Sequence, residues 1–248
     1  MTDILGWRKT FGILGPSTNT VVQPEFDDMR PKGVTNHYSR IFTPNAHAVS
    51  NETFINATQV IASNVRDAVE SVMTCSPDYL VMGMSAITFY GGEKGAGEFQ
   101  KKVEDLSGVG VSIGSHSTAA ALRAYGGIKK IAFISPYFPA ANEQVQLYFE
   151  DCGFEVIGEV CLRCPRWTAI AEVPPDVLVD ELNQLNTVEA DALVQVGTNL
   201  PMARLAATIE KQFGKPIVAI NTATYWHALR HNGIDDKISG FGRLLEEF

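Results

Sequence analysis

The chemically capable residues of this chain are hydroxyls and amides set just after short apolar runs. Leu80-Val81-Met82 has the length and flanks of a fully buried strand, and it stops at Gly83-Met84-Ser85-Ala86. In an open α/β sheet, ligands bind outside the carboxyl ends of the strands, so Ser85 falls where chemistry happens. Ile13-Leu14 leads in the same way into Gly15-Pro16-Ser17-Thr18-Asn19-Thr20, Phe133-Ile134 into Ser135-Pro136-Tyr137, and Gln195-Val196 into Gly197-Thr198-Asn199. Small residues and hydroxyls in a loop of this kind can turn backbone N–H groups toward an anion. An ordinary turn or helix cap uses the same residues.

Other candidates are weaker. Arg40, near the end of an extended stretch, is a cation that could clamp a carboxylate. His116 stands at a hydroxyl-rich helix start (Ser115, Ser117, Thr118) and could donate a proton. His227 and His231 are spaced i, i+4, as paired metal ligands can be, but no carboxylate lies between them. Cys161 and Cys164 form a lone CxxC, whereas a structural zinc needs four ligands. Pro165 also pushes Cys164 toward extended geometry. Neither a metal nor an organic cofactor is expected, and Cys75, Cys152, Cys161 and Cys164 read as packed thiols of a reducing compartment.

Strands are predicted at 10–14, 35–42, 80–82, 109–113, 131–134, 154–160, 192–196 and 216–220. Between them lie helical stretches at about 51–74, 96–106, 115–125, 140–151, 175–185, 202–213 and 221–232. The 51–74 stretch carries its apolar stripe at Ile61, Val65, Ala68, Val69 and Val72, good helical spacing. With 248 residues, 45% hydrophobic and 19% charged, the chain can bury one large or two small α/β cores. Its 20 basic and 28 acidic residues give a net charge of −8 with no basic cluster, which argues against a nucleic-acid or anionic-membrane partner. No apolar run approaches the ~20 residues of a membrane span. Residues 1–10, carrying Asp3, Arg8 and Lys9, lack a signal-peptide core, so a cytoplasmic location is expected.

The two halves of the chain repeat. Ile13-Leu14-Gly15-Pro16 matches Phe133-Ile134-Ser135-Pro136, and Val81-Met82-Gly83 matches Gln195-Val196-Gly197. The helix holding Ala121-Leu122-Arg123 matches that holding Ala228-Leu229-Arg230. Two similar α/β halves follow, each with a short parallel sheet, and across a pseudo-twofold their strand-end loops would surround one cleft. The repeat order assigns residues 1–112 plus 223–248 to the first half and 113–222 to the second, each closing helix crossing to the other half.

These segments resemble the aspartate/glutamate racemase superfamily, in particular its maleate cis-trans isomerase and arylmalonate decarboxylase branches. Pro16-Ser17-Thr18-Asn19-Thr20 is similar to the isomerases' substrate loop, and Gly83-Met84-Ser85 with Phe89-Tyr90 to the decarboxylases. Tyr137 ahead of Asn142-Glu143 sits where that family carries a catalytic tyrosine, and Trp226-His227-Ala228-Leu229-Arg230 is typical of it. The resemblance implies two flavodoxin-like halves and one cleft handling a small carboxylate through an enediolate-like carbanion.

Racemases and isomerases of the group set one cysteine on each side of the substrate, and the decarboxylases keep one. The corresponding positions here fall at Met84 or Ser85 and at Gly197 or Thr198, and none is cysteine. A thiol shuttles protons or adds to an alkene at neutral pH, whereas an unactivated hydroxyl does neither. What the resemblance leaves is a set of neutral donors suited to holding one carboxylate and stabilising developing charge. Ser85, Tyr137 and Thr198 are thereby assigned the enediolate, and Ser17 and Asn19 the retained carboxylate. Pro16, Met84, Ala86, Gly197, Asn199 and Thr222 line the site, and Tyr137 or His116 supplies the proton. The expected activity is a decarboxylase-type carbon–carbon lyase. An isomerase or racemase with a non-cysteine proton carrier and a non-catalytic carboxylate binder stay open, as does homo-oligomerisation.

Overall fold

The structure is a computed structural model that describes residues 3–47 and 50–248; Met1 and Thr2, the head of the segment read above for a leader, lie outside the described residues. The sheets form because short runs such as Tyr79–Met82 are apolar at every position and buried at every position, the signature of parallel strands covered on both faces. The first sheet is β1 (Lys9–Pro16), β2 (Val34–Ile41), β3 (Tyr79–Met82) and β4 (Val111–Ser112), all parallel, in the order β2-β1-β3-β4. The second is β5 (Lys130–Ser135), β6 (Glu155–Cys161), β7 (Ala192–Gln195) and β8 (Ile217–Ala219), parallel in the matching order β6-β5-β7-β8. The strand order reverses between β1 and β3 and again between β5 and β7. Those two switch points are where an open sheet leaves a crevice.

Around the sheets lie α1 (Val22–Asp28), α2 (Asn51–Ser63), α3 (Val65–Met73), α4 (Gly92–Ser107), α5 (Gly114–Tyr125), α6 (Pro139–Asp151), α7 (Pro175–Leu185), α8 (Ala203–Phe213), α9 (Ile220–His231) and the short α10 (Arg243–Glu247). Two differences from the sequence reading have local causes. The single helix expected over 51–74 is two helices broken at Asn64, whose Nδ2 donates to Phe42 O at 2.9 Å. The chain after Thr20 holds α1, which escaped prediction: Pro24 and Glu25 interrupt its apolar side, leaving Val22 and Phe26 as its buried residues.

The two halves interlock. On α9, Tyr225 stacks edge-on to Phe11 of β1 (6.0 Å, 85°) and lies against Phe26 of α1, while His227 Nδ1 is 2.7 Å from Ser112 Oγ of β4. From α5, Arg123 donates to Cys152 O (3.2 Å) and Tyr125 OH to Glu210 Oε1 (2.8 Å) of α8. The segment after α9 reaches both sides, with Asp236 paired to Arg8 at 2.5 Å and the Arg243 N–H bonded to Glu210 Oε2 at 2.9 Å. Among the described residues, no helix is long and apolar enough to cross a membrane.

Candidate active site

Four loops, after β1, β3, β5 and β7, meet between the sheets. They bring Asn19, Ser85, Tyr137 and Thr198 together as a buried cluster. Each is fixed by its own backbone surroundings. Asn19 Oδ1 accepts the N–H groups of Val21 (3.0 Å) and Val22 (2.9 Å), capping the start of α1. Its amide is thereby aimed the other way, and Nδ2 donates to Thr198 Oγ1 at 3.2 Å. Thr198 Oγ1 donates in turn to Gly83 O (3.1 Å), and the Thr198 N–H donates to Ser85 Oγ (3.2 Å). Asn199 stitches the halves beside this: it accepts from the Thr20 N–H at 3.0 Å and donates to Trp167 O at 2.9 Å.

The centre of the cluster is the 2.6 Å contact between Ser85 Oγ and Tyr137 OH. Two hydroxyls carry two protons, and the bond between them uses one. Whichever oxygen donates inward, the other proton is left for a ligand. Burial pushes the phenol pKa of Tyr137 well above its ordinary value, the bond to Ser85 only partly opposing it. Tyr137 therefore stays protonated across the neutral range. Its ring is packed against Phe54 of α2 (5.4 Å), which in turn meets Trp167 at 5.1 Å.

The pocket beside the cluster is lined by Pro16, Asn19, Met84, Ser85, Ala86, Tyr137, Gly197, Thr198 and Asn199. Sequence reasoning missed other lining residues. Thr58 and Ile61 lie one turn apart on α2, and Trp167 and Ile170 belong to the segment after β6. The α2 pair was signalled by the helical stripe through Ile61; nothing local points to Trp167. Among the described residues, the lining includes no Lys, Arg, His, Asp, Glu or Cys. The lining combines neutral hydroxyls and amides with apolar side chains.

Several expected residues are turned elsewhere. Ser17 Oγ accepts the Thr43 N–H at 2.9 Å and lies outside the lining, so it braces its loop. Thr222 is buried near the start of α9 with no partner for its hydroxyl, and it too is outside the lining. His116 does not reach the pocket. Its Nδ1 is 2.5 Å from Gln100 Oε1 of α4, its ring lies beside Tyr148, and burial pulls its pKa down. Arg40 is committed as well: it donates to Asn19 O (2.8 Å) and Gln23 Oε1 (2.9 Å), with its guanidinium over the Tyr38 ring. It supports the Asn19 loop instead of clamping a ligand.

Comparison with known proteins agrees with the fold. A family model described as arylmalonate decarboxylase matches residues 19–245. Maleate isomerase of Pseudomonas putida is 26% identical over 246 residues, covering 94% of this chain and 96% of its own. Maleate isomerase of Nocardia farcinica is 28% identical over 120 residues, 48% of each chain; in this match the chain spans about half the length of the curated relative. Among solved structures, Nocardia farcinica maleate cis-trans isomerase bound to TRIS superposes with a TM-score of 0.86 at 22% identity, covering 96% of this chain and 98% of that one. A liganded double mutant of arylmalonate decarboxylase gives 0.84 at 20% identity, covering 97% and 100%. These structures share the fold of two four-stranded parallel sheets flanked by helices. With the match running through residues 19–245, the chain belongs to the arylmalonate decarboxylase family.

Proposed function

We propose that the chain is a cofactor-independent lyase that removes one carboxylate from a small malonate-type acid. The observation that carries this is the Ser85–Tyr137 hydroxyl pair, held by Thr198, in a pocket whose lining is uncharged and partly apolar. One carboxylate of the substrate takes the spare hydroxyl proton of the Ser85–Tyr137 pair and the Asn19 amide. The other, against Met84, Ile61 and Ile170, loses its water without gaining a partner. Breaking its bond to the central carbon releases neutral CO₂ and leaves the electron pair as an enediolate on the retained carboxylate. Neutral donors fixed beforehand stabilise that charge as it develops. The carbanion then takes the phenol proton of Tyr137, and water restores it as product leaves.

A second reading, cis-trans isomerisation of a small unsaturated dicarboxylate, draws support from the maleate isomerase relatives. It needs a nucleophile that can add to an alkene, and no thiol lines the pocket among the described residues. Incubation in D₂O with a panel of malonates and with maleate separates the two by NMR. A deuterated monocarboxylate supports the lyase, and fumarate formed from maleate would replace it with the isomerase. No turnover on the whole panel would favour a carboxylate-binding homologue.

Iodoacetamide is expected to leave turnover unchanged. Cys75 is exposed and is expected to label first, although partial burial raises its pKa. Burial pushes both Cys161 and Cys164 up to about 11, so little thiolate exists at neutral pH. Stoichiometric inactivation that substrate prevents would bring a cysteine into the mechanism.

A further inference from the structure

Glu25 is a half-buried carboxylate of α1 that the mechanism above leaves unused. Its oxygens reach across to the other half. Oε1 accepts the Ala203 N–H in the first turn of α8 at 2.9 Å, and Oε2 accepts Asn221 Nδ2 at the start of α9 at 2.6 Å. The same Asn221 Nδ2 donates to Thr198 O at 2.9 Å, and the N–H of Thr198 is the one bonded to Ser85 Oγ. A continuous path of hydrogen bonds therefore runs from Glu25 through Asn221 and Thr198 to the Ser85–Tyr137 pair.

We propose that Glu25 is a positioning residue of the site, whose ionised carboxylate, by holding Asn221, anchors the Thr198 carbonyl and, through the φ/ψ of Thr198, the preceding peptide unit that turns the Thr198 N–H toward Ser85. This rests on the reading of the pocket as the reaction site. The partners of Glu25 named above are both donors, so the carboxylate satisfies them and the acid does not: a protonated oxygen needs an acceptor. The buried Asn221 Oδ1 has no partner and can serve, provided the amide turns over. Turning it withdraws Nδ2 from Thr198 O and sets an oxygen there instead, so the Thr198 carbonyl must move, and the Thr198 N–H shifts with the φ/ψ of the residue.

The surroundings put this exchange in the neutral range. Burial pushes the Glu25 carboxyl up to about 7, against the opposing pull of Asn221 and of the Ala203 and Met202 amides. The like charge of Asp28 on α1 raises it further, and Asp28 is itself paired with Arg204 of α8 at 3.0 Å. From α9 it is faced by the neutral Asn221.

The test follows backbone amide resonances of the ¹⁵N-labelled full chain from about pH 5.5 to about 8.5. In the wild type the Thr198 and Ala203 amides are expected to shift together with a midpoint near 7. In Glu25→Gln both shifts are lost. In Asn221→Ser the Ala203 amide keeps its titration, which also reports that the fold is intact, while the Thr198 shift disappears. A Thr198 amide that is flat in the wild type, or that titrates unchanged in Asn221→Ser, overturns the proposal.

Malonate, added at about pH 8, separates this from the reading of the pocket. Binding to the wild type that weakens about tenfold in Glu25→Gln supports both. Absence of malonate binding with the Thr198 titration present removes the carboxylate reading and leaves the positioning role. Equal binding by wild type and Glu25→Gln with a flat Thr198 amide does the reverse.

Discussion

Tyr137→Phe is expected to lower turnover by about 10²–10³-fold while leaving the fold intact. The substitution removes one oxygen and almost no volume, and the ring stays packed on Phe54. What disappears is the partner 2.6 Å from Ser85 Oγ, and with it one of the two protons that let the pair hold each other and still donate to a ligand. Ser85 keeps the N–H of Thr198 as a donor to its oxygen, so no buried group is orphaned. The stability cost should stay at ~1 kcal/mol. The asymmetry is the test. A tyrosine that only packs beneath the loop gives wild-type turnover as phenylalanine, whereas one that holds developing charge loses the chemical step. Ground-state affinity for a carboxylate should fall far less, since the hydrogen bond strengthens as charge accumulates. Wild-type turnover by Tyr137→Phe, once a substrate is in hand, would remove Tyr137 from the mechanism.

The centre of the candidate site was legible because its residues sit at strand ends, and strand ends show in sequence. Leu80 to Met82 and Leu193 to Val194 are short apolar runs with nowhere to go except a covered parallel sheet. In a doubly wound sheet the next few residues face the crevice. That logic placed Ser85, Tyr137 and Thr198 at one crevice, where the structure brings them together. It failed where position depends on a partner distant in the chain. Trp167 lies in a segment without periodicity, and its place is set by Asn199 and Phe54. Glu25 looks like a solvated acid on a short helix, and its partners lie 178 and 196 residues away.

His116 and Ser17 failed for a different reason. Proximity to a loop end fixes where a Cα lies but not where the side chain turns. Gln100 draws the imidazole of His116 outward and the Thr43 backbone takes the hydroxyl of Ser17.

Gly197→Cys is expected to destabilise the protein by ~2–6 kcal/mol, lowering Tm by roughly 5–20 °C. A cysteine near this strand end is what the resemblance to racemases and isomerases leads one to look for, so the substitution asks whether the fold could accept one. The backbone says no at Gly197. Its φ is +105°, a conformation open to glycine and strained for any residue with a Cβ. A Cβ built there would overlap Pro136 Cδ and come within 2.6 Å of Pro136 Cγ. Proline is rigid, and the turn cannot swing aside easily, because Gln195 Nε2 donates to Val196 O at 2.9 Å and to Gly197 O at 2.8 Å. Its counterpart Gly83 lacks the positive φ but is also close-packed, with Val22 Cγ1 at 2.6 Å from the position of a Cβ. Thr198→Cys is the control. That position already carries a β-branched side chain, and replacing it forfeits the Asn19 and Gly83 hydrogen bonds, a cost of ~1–3 kcal/mol. If calorimetry found Gly197→Cys as stable as the wild type, the turn would be far softer than its contacts indicate. A large drop in Tm beside a modest one for Thr198→Cys would show that the turn at Gly197 itself excludes a side chain there.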